Sequence, residues 1–203
     1  WTVTNGVCGS TQDVVNIQLD QAPSASVAGT DQNICGTSTT LAATPPAIGT
    51  GAWTIVSGAG GTVTTPSSAT SNFTGVAGTT YVLRWTVSNG VCTPTQSTVQ
   101  IRLEAAPSVA FAGNDQQVCG SFASLGATPP TTGIGVWSVV SGAGGSFADA
   151  NSATSGFTGT PGVTYQLQWT VTNGVCGSTQ DVVNIQLDAA PSASVAGTDQ
   201  NIC

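Results

Sequence analysis

The chain contains no histidine, no lysine and no methionine, and only 5% of its 203 residues are charged. Each absence excludes something. Ordinary domains carry about a quarter charged residues, so solubility here must rest on Ser, Thr, Asn, Gln and Gly. Two arginines against nine acids give a net charge of -7. That balance removes the counterion release that drives nucleic-acid binding and the attraction to anionic membrane surfaces. No apolar run approaches the roughly 18 residues needed to span a bilayer, so membrane insertion is not expected. No signal peptide is visible, and an export signal would have to lie outside this window. Without His or Lys, nothing familiar activates the many Ser and Thr hydroxyls as nucleophiles. Asp13 and Asp20, on one expected strand, would lie about 23 Å apart on opposite faces, too far for paired-carboxylate chemistry. Asp149 has Thr65 as its counterpart one repeat earlier. The chain reads as a non-enzyme with no cofactor.

Hydrophobic residues make up 39% of the chain, enough for real cores. Their arrangement is periodic. Trp1, Trp85 and Trp169 are spaced 84 apart, as are Cys8, Cys92 and Cys176, and Cys35, Cys119 and Cys203. Intervening residues align without a gap: "LAATPPAIGTGAWTIVSGAGGTV" from Leu41 matches "LGATPPTTGIGVWSVVSGAGGSF" from Leu125. A longer period overlies the first. Residues 1–35 match 169–203 at all but one position, Gln21 against Ala189, but match 85–119 at only 20 of 35. Two alternating unit types are the simplest reading.

"QAPS" at Gln21 and "AAPS" at Ala105 and Ala189 each follow an alternating stretch with a Pro that cannot continue it. The boundaries that follow are a C-terminal fragment of one repeat at 1–21, complete repeats at 22–105 and 106–189, and an N-terminal fragment of another at 190–203. The absence of an initiator Met, and fragments at both ends, suggest an excerpt from a longer array.

Within a unit, apolar and polar residues alternate at period two, and helical spacing is missing. Tyr81, Leu83, Trp85 and Val87 fall on one face of "TYVLRWTVSNGVC", and Tyr165, Leu167, Trp169 and Val171 do so one repeat later. Asn89-Gly90 predicts a two-residue hairpin turn with both residues at positive φ. The return strand "STVQIRL" would bury Val99, Ile101 and Leu103. Further strands are expected around 24–28, 39–43, 51–56 and 69–74, with turns at Pro45-Pro46 and Gly58 to Gly61. Seven or so short strands in 84 residues describe a β-sandwich. The fold class is therefore all-β, in tandem sandwich repeats. Its expected core is Leu41, Trp53, Tyr81, Leu83 and Trp85, with Leu125, Trp137, Tyr165, Leu167 and Trp169.

Leu41, Trp53 and the spacing Tyr81-x-Leu83 resemble the immunoglobulin fold's second-strand cysteine, third-strand tryptophan and tyrosine corner, with leucines where its inter-sheet disulfide would be. More narrowly, "AGTDQNICG", "GAWT", "TTYVLRWTVSNGVC" and "VVNIQL" resemble the PKD-like or Ig-like repeats of giant Bacteroidota surface proteins, including gliding-motility-associated adhesins. That resemblance covers the whole chain. It implies a secreted or cell-surface spacer, stalk or fibre whose partners are copies of itself, with an adhesive or carbohydrate-binding module as the alternative.

Six cysteines without histidine point to disulfides rather than metal ligation, and so to an oxidising compartment. Two connectivities respect the period. One closes each unit on itself, Cys35 with Cys92 and Cys119 with Cys176. The other joins neighbouring units through Cys35 and Cys176, leaving Cys8 and Cys203 to pair outside the window. The second is preferred. Cys35 lies at the pole where the last strand ends and Cys92 at the opposite pole, about 30 Å away along ten residues of strand, whereas a disulfide needs Cα atoms within about 7 Å. Asp31, Asp115 and Asp199 recur in "AG-x-DQ". They are weak calcium candidates, since a hard cation wants six to eight oxygens, and capping of a backbone turn is the expected role. Asn72-Phe73-Thr74 fits a glycosylation acceptor that the other unit lacks, and no surface glycan or other ligand follows from it. Trp53 and Trp85 could stack on sugars but are expected in the core.

Overall fold

The computed structural model describes residues 1–201 and 203. It is all-β, with sixteen strands among those residues. A short hairpin, β1 (Thr2–Thr4) and β2 (Ser10–Gln12), comes first. Seven strands follow: β3 (Gln32–Cys35), β4 (Ser38–Thr40), β5 (Thr50–Ser57), β6 (Thr62–Val63), β7 (Asn72–Thr74), β8 (Thr79–Ser88) and β9 (Thr95–Glu104). The same seven recur as β10 (Gln116–Cys119), β11 (Phe122–Ser124), β12 (Ile134–Ser141), β13 (Ser146–Phe147), β14 (Gly156–Thr158), β15 (Val163–Thr172) and β16 (Ser178–Asp188). Each set forms a four-stranded and a three-stranded sheet, in the orders β3-β9-β8-β5 with β4-β7-β6, and β10-β16-β15-β12 with β11-β14-β13. This is the sheet arrangement of an immunoglobulin-like sandwich.

Two compact units divide the chain. The first comprises Trp1–Gln32, Ser38–Gly75 and Thr80–Ile101; the second comprises Asn33–Thr37, Val76–Thr79 and Arg102–Cys203. Cys35, early in the first 84-residue period, therefore belongs to the second unit.

Alternation sets the core. In β15 the inward residues Tyr165, Leu167, Trp169 and Val171 are buried, and β16 returns Val183, Ile185 and Leu187 to the same face. Leu125, Trp137 and Phe157 close the cluster from other strands. Trp137 and Trp169 are cross-strand neighbours with ring centroids 5.1 Å apart. Their counterparts Trp53 and Trp85 repeat that 5.1 Å distance. Leu41, Tyr81 and Leu83 are buried at matching positions. The Tyr81 hydroxyl donates to the Ala59 carbonyl (2.8 Å) and the Tyr165 hydroxyl to Ala143 (2.7 Å), so each ring spans the core yet satisfies its polar tip. Gly135 lies against the indole of Trp169: a Cβ built there would come within 2.1 Å of the ring.

Several local expectations differ from what forms. Segments 24–28, expected as a strand, and 108–112 carry no strand. Side chains take the place of a backbone partner: the amides of Ala110 and Ala112 donate to Thr179 Oγ1 (3.0 Å) and Asp181 Oδ2 (2.8 Å) of β16. The expected strands at 39–43 and 69–74 shrink to Ser38–Thr40 and Asn72–Thr74. Gln32–Cys35 and Thr62–Val63 are strands that propensity missed. Asp13 and Asp20 share no strand, because β2 stops at Gln12.

The Asn89-Gly90 turn is also corrected. Gly90 has φ of 53°, but among the described residues no non-Gly residue has positive φ, so Asn89 does not adopt the expected conformation. The later copy shows why. Asn173 is extended (φ -140°, ψ 97°), as is Asn5 (φ -138°, ψ 93°), and Gly174–Cys176 forms a 3-10 turn. The Asn173 side-chain amide is drawn away to the Ala105 carbonyl at 2.7 Å. A tight two-residue turn would forfeit that bond.

Candidate functional site

Three of the six cysteines, Cys8, Cys92 and Cys176, lie in the repeated "NGVC" loops, Cys35 and Cys119 end strands, and the second unit contains the bonded arrangement. Cys35 ends β3. Beyond it, Gly36 takes φ of 114°, a left-handed value that needs glycine, and donates its amide to the Glu104 carbonyl at the end of β9 (3.0 Å). Cys176 closes the 3-10 turn, its amide donating to Asn173 O at 2.9 Å. The Asn173 bond to Ala105 holds this loop on the chain just past β9. Cys176 Sγ thus lies 3.5 Å from Glu104 O, the carbonyl that also anchors Gly36. The two cysteines are bonded, with Cα atoms 4.9 Å apart and a sequence separation of 141. That Cα distance suits a disulfide.

The alternative pairings of Cys35 with Cys92 and Cys119 with Cys176 do not form. Cys35 sits where β9 ends, whereas Cys92 precedes its start: the Cys92 thiol donates to the Asp20 carbonyl at 3.5 Å. Cys8, Cys92, Cys119 and Cys203 are free, and all but the half-buried Cys92 are exposed.

Glu104 is buried beside this loop, and Arg102 Nε lies 2.6 Å from its Oε1. The pair is one version of a repeated device. At the equivalent positions Gln18 donates to Asp20 (2.9 Å), and on β16 Gln186 donates to Asp188 (2.8 Å). Reasoning from sequence overlooked Glu104 and Asn173. The available signal was "NGVC", identical at Asn5, Asn89 and Asn173.

Asp31 and Asp115 do not cap local turns as expected. Each reaches a strand amide 69 residues away, Asp31 Oδ1 accepting from Gln100 N and Asp115 Oδ1 from Asn184 N, both at 2.8 Å. Asp115 Oδ2 also accepts from Asn184 Nδ2 at 3.1 Å. These bonds to the charged form hold the Asp115 carboxyl below its ordinary value, the backbone amide contributing most. A depressed folded value contributes stability that is complete above the ordinary aspartate range and fades as pH falls through the lowered one. Titration of Asp115 by carbon NMR should give a midpoint below that of an unstructured aspartate, and Asn184 amide protection should fall over the same acid range. A midpoint at the ordinary value would refute the bond. Asp199 is exposed and outside any strand. Among the described residues no three His, Cys, Asp or Glu side chains gather where they could hold a metal ion. Trp53, Trp85, Trp137 and Trp169 are all buried, so none offers a face to a sugar.

No family model matches this chain, and no match is found among curated proteins. Solved structures do match in fold. Sidekick-1 immunoglobulin domains 1-4 align over 87% of this chain and 51% of that one, at 12% identity and a TM-score of 0.54. Sidekick-1 immunoglobulin domains 1-5 align over 85% and 40%, again at 12% identity and 0.54. A PKD domain from the KIAA 1837 protein aligns over 43% of this chain and 95% of its own length, at 25% identity and a TM-score of 0.37. The chain spans about half the length of the Sidekick-1 structures or less. At this identity the likeness concerns fold alone: an all-β chain of immunoglobulin-like sandwiches.

Proposed function

We propose that this chain is a structural repeat module of an extracellular bacterial filament, stalk or adhesin spacer. It is not an enzyme. Its modules are the repeats at 22–105 and 106–189, and their partners are further copies of themselves. The observation that carries this reading is the Cys35–Cys176 disulfide, whose 141-residue separation exceeds the 84-residue period. Such a bond ties a strand end of one repeat to a loop of the next. Both cysteines lie in the second compact unit, which thus draws on residues of both sequence repeats. Repeated along an array, the bond resists bending and pulling, because stability in tandem proteins is a sum of module and nearest-neighbour contributions.

Composition supports the same reading. Two arginines and no lysine leave few cleavage sites for trypsin-like proteases. Persistent disulfides belong outside the cytoplasm. The adhesive alternative needs an exposed aromatic platform, and the four in-repeat tryptophans are buried. Electron micrographs of the native surface material, decorated with an antibody against this chain, test the proposal. Unbranched fibres labelled along their length are expected. Label confined to the cell interior, or to isolated globular particles, would contradict it.

A further inference from the structure

Residues 1–19 and 169–187 are identical in sequence and adopt the same turn, yet their surroundings are opposite. Gly6 and Gly174 both have φ of 48°, and the Cys8 and Cys176 amides both donate to the preceding Asn carbonyl at 2.9 Å. Trp1 and Leu19 are 91% exposed; Trp169 and Leu187 are 0% exposed. Ile17 and Ile185 differ in the same way. What covers the second copy is the segment 106–162, through Ala112, Leu125, Trp137 and Phe157. The first copy is a preformed hairpin whose matching cover has a known sequence.

A second observation concerns Cys92. Its loop reproduces the contacts of the bonded Cys176 loop: Asn89 Nδ2 donates to Gln21 O at 2.7 Å, as Asn173 does to Ala105, and Cys92 Sγ lies 3.5 Å from Asp20 O, as Cys176 Sγ does from Glu104 O. Only the partner cysteine differs. In the segment that covers β16, Cys119 pairs in register with Asp188, and Gly120 donates to the Asp188 carbonyl at 2.9 Å. Asp20 is the counterpart of Asp188. A segment like 106–162 seated on residues 1–20 therefore delivers its Cys119-type residue to Asp20, where the Cys92 thiol already waits.

We propose that residues 1–20 and the Asn89–Cys92 loop form one docking surface for a further copy of the 106–162 segment, which closes a sandwich over the hairpin and forms a disulfide with Cys92 through its Cys119 equivalent. Both thiols lose a proton, one S–S bond forms, and two electrons pass to a disulfide oxidant that leaves as two thiols. The inference rests on the tandem reading above and names the cover and the bond that reading needs.

The test is the full chain extended ahead of Trp1 by a second copy of residues 106–168, folded with oxidised glutathione. A non-reducing peptide map should contain the added Cys119 equivalent joined to Cys92. Amide exchange at Val15, Ile17 and Leu19 should slow by about 100-fold or more on gaining a sheet and core. The extended chain with Cys92→Ser should keep that protection and lose the cross-link, so closure of the sandwich is read even where oxidation is incomplete. Unprotected amides in both chains, or an added cysteine bonded elsewhere or left free, would overturn the proposal. Formation of this bond alongside native material that shows no fibres would sink the filament reading alone.

Discussion

Replacing Cys35 and Cys176 together by serine is expected to lower the stability of the second unit by about 5 kcal/mol. The bond closes a loop with a sequence separation of 141 residues, and the entropy that a cross-link removes from the unfolded chain grows with the logarithm of loop length. No other residue pair in the described structure restrains so long a stretch covalently. Its neighbourhood adds little that would survive the loss. Gly36 keeps its bond to Glu104 and Asn173 its bond to Ala105, each worth only about 1 kcal/mol. Denaturant unfolding of parent and variant, each with and without reductant, measures the effect. Reductant should bring the parent down to the variant and leave the variant unchanged. A variant within about 0.5 kcal/mol of the oxidised parent, the scatter of a neutral surface change, would remove the bond's mechanical role.

Trp169→Ala is expected to cost about 3 to 5 kcal/mol, the range for deleting a large buried aromatic. The indole is fully buried, packs on Trp137 at 5.1 Å and rests on Gly135. Gly135→Ala acts on the same contact from the other side. Its new methyl would lie 2.1 Å from the ring, and overpacking of this kind costs about 1 to 3 kcal/mol. The two changes should not add. Once the indole is gone the methyl has room, so Gly135→Ala in the Trp169→Ala background should be nearly neutral beyond the strand's own preference. Circular dichroism through a denaturant series on all four chains gives the coupling energy. Additive costs would mean that Gly135 is required for some reason other than the ring.

Both predictions draw on features of unequal visibility in the sequence. The sandwich was readable because the 84-residue period and the alternation in "TYVLRWTV" are local patterns repeated without a gap. Long strands such as β8 and β9 follow from them directly. The segments at 24–28 and 108–112 were misread for a physical reason. In the second copy the Ala110 and Ala112 amides are satisfied by the Thr179 and Asp181 side chains instead of a strand ladder, and alternation cannot tell the two apart. Asn89-Gly90 was misread because a side-chain bond to Gln21, 68 residues away, outweighs the local turn preference. Asp115 has the same history: its partner Asn184 is distant in sequence, and only the folded chain brings them together. The cysteine arrangement was partly readable, since strand rise alone separates Cys35 from Cys92. Asn173 opens the repeated "NGVC", whereas Glu104 carries no motif that distinguishes it from a solvated strand-end residue.

Non-reducing peptide mapping of the unmodified chain tests the central claim most directly. A covalent tie longer than the sequence period predicts a single cross-linked peptide joining Cys35 to Cys176. A peptide joining Cys35 to Cys92, or Cys119 to Cys176, would make each repeat self-contained and contradict the stapled array.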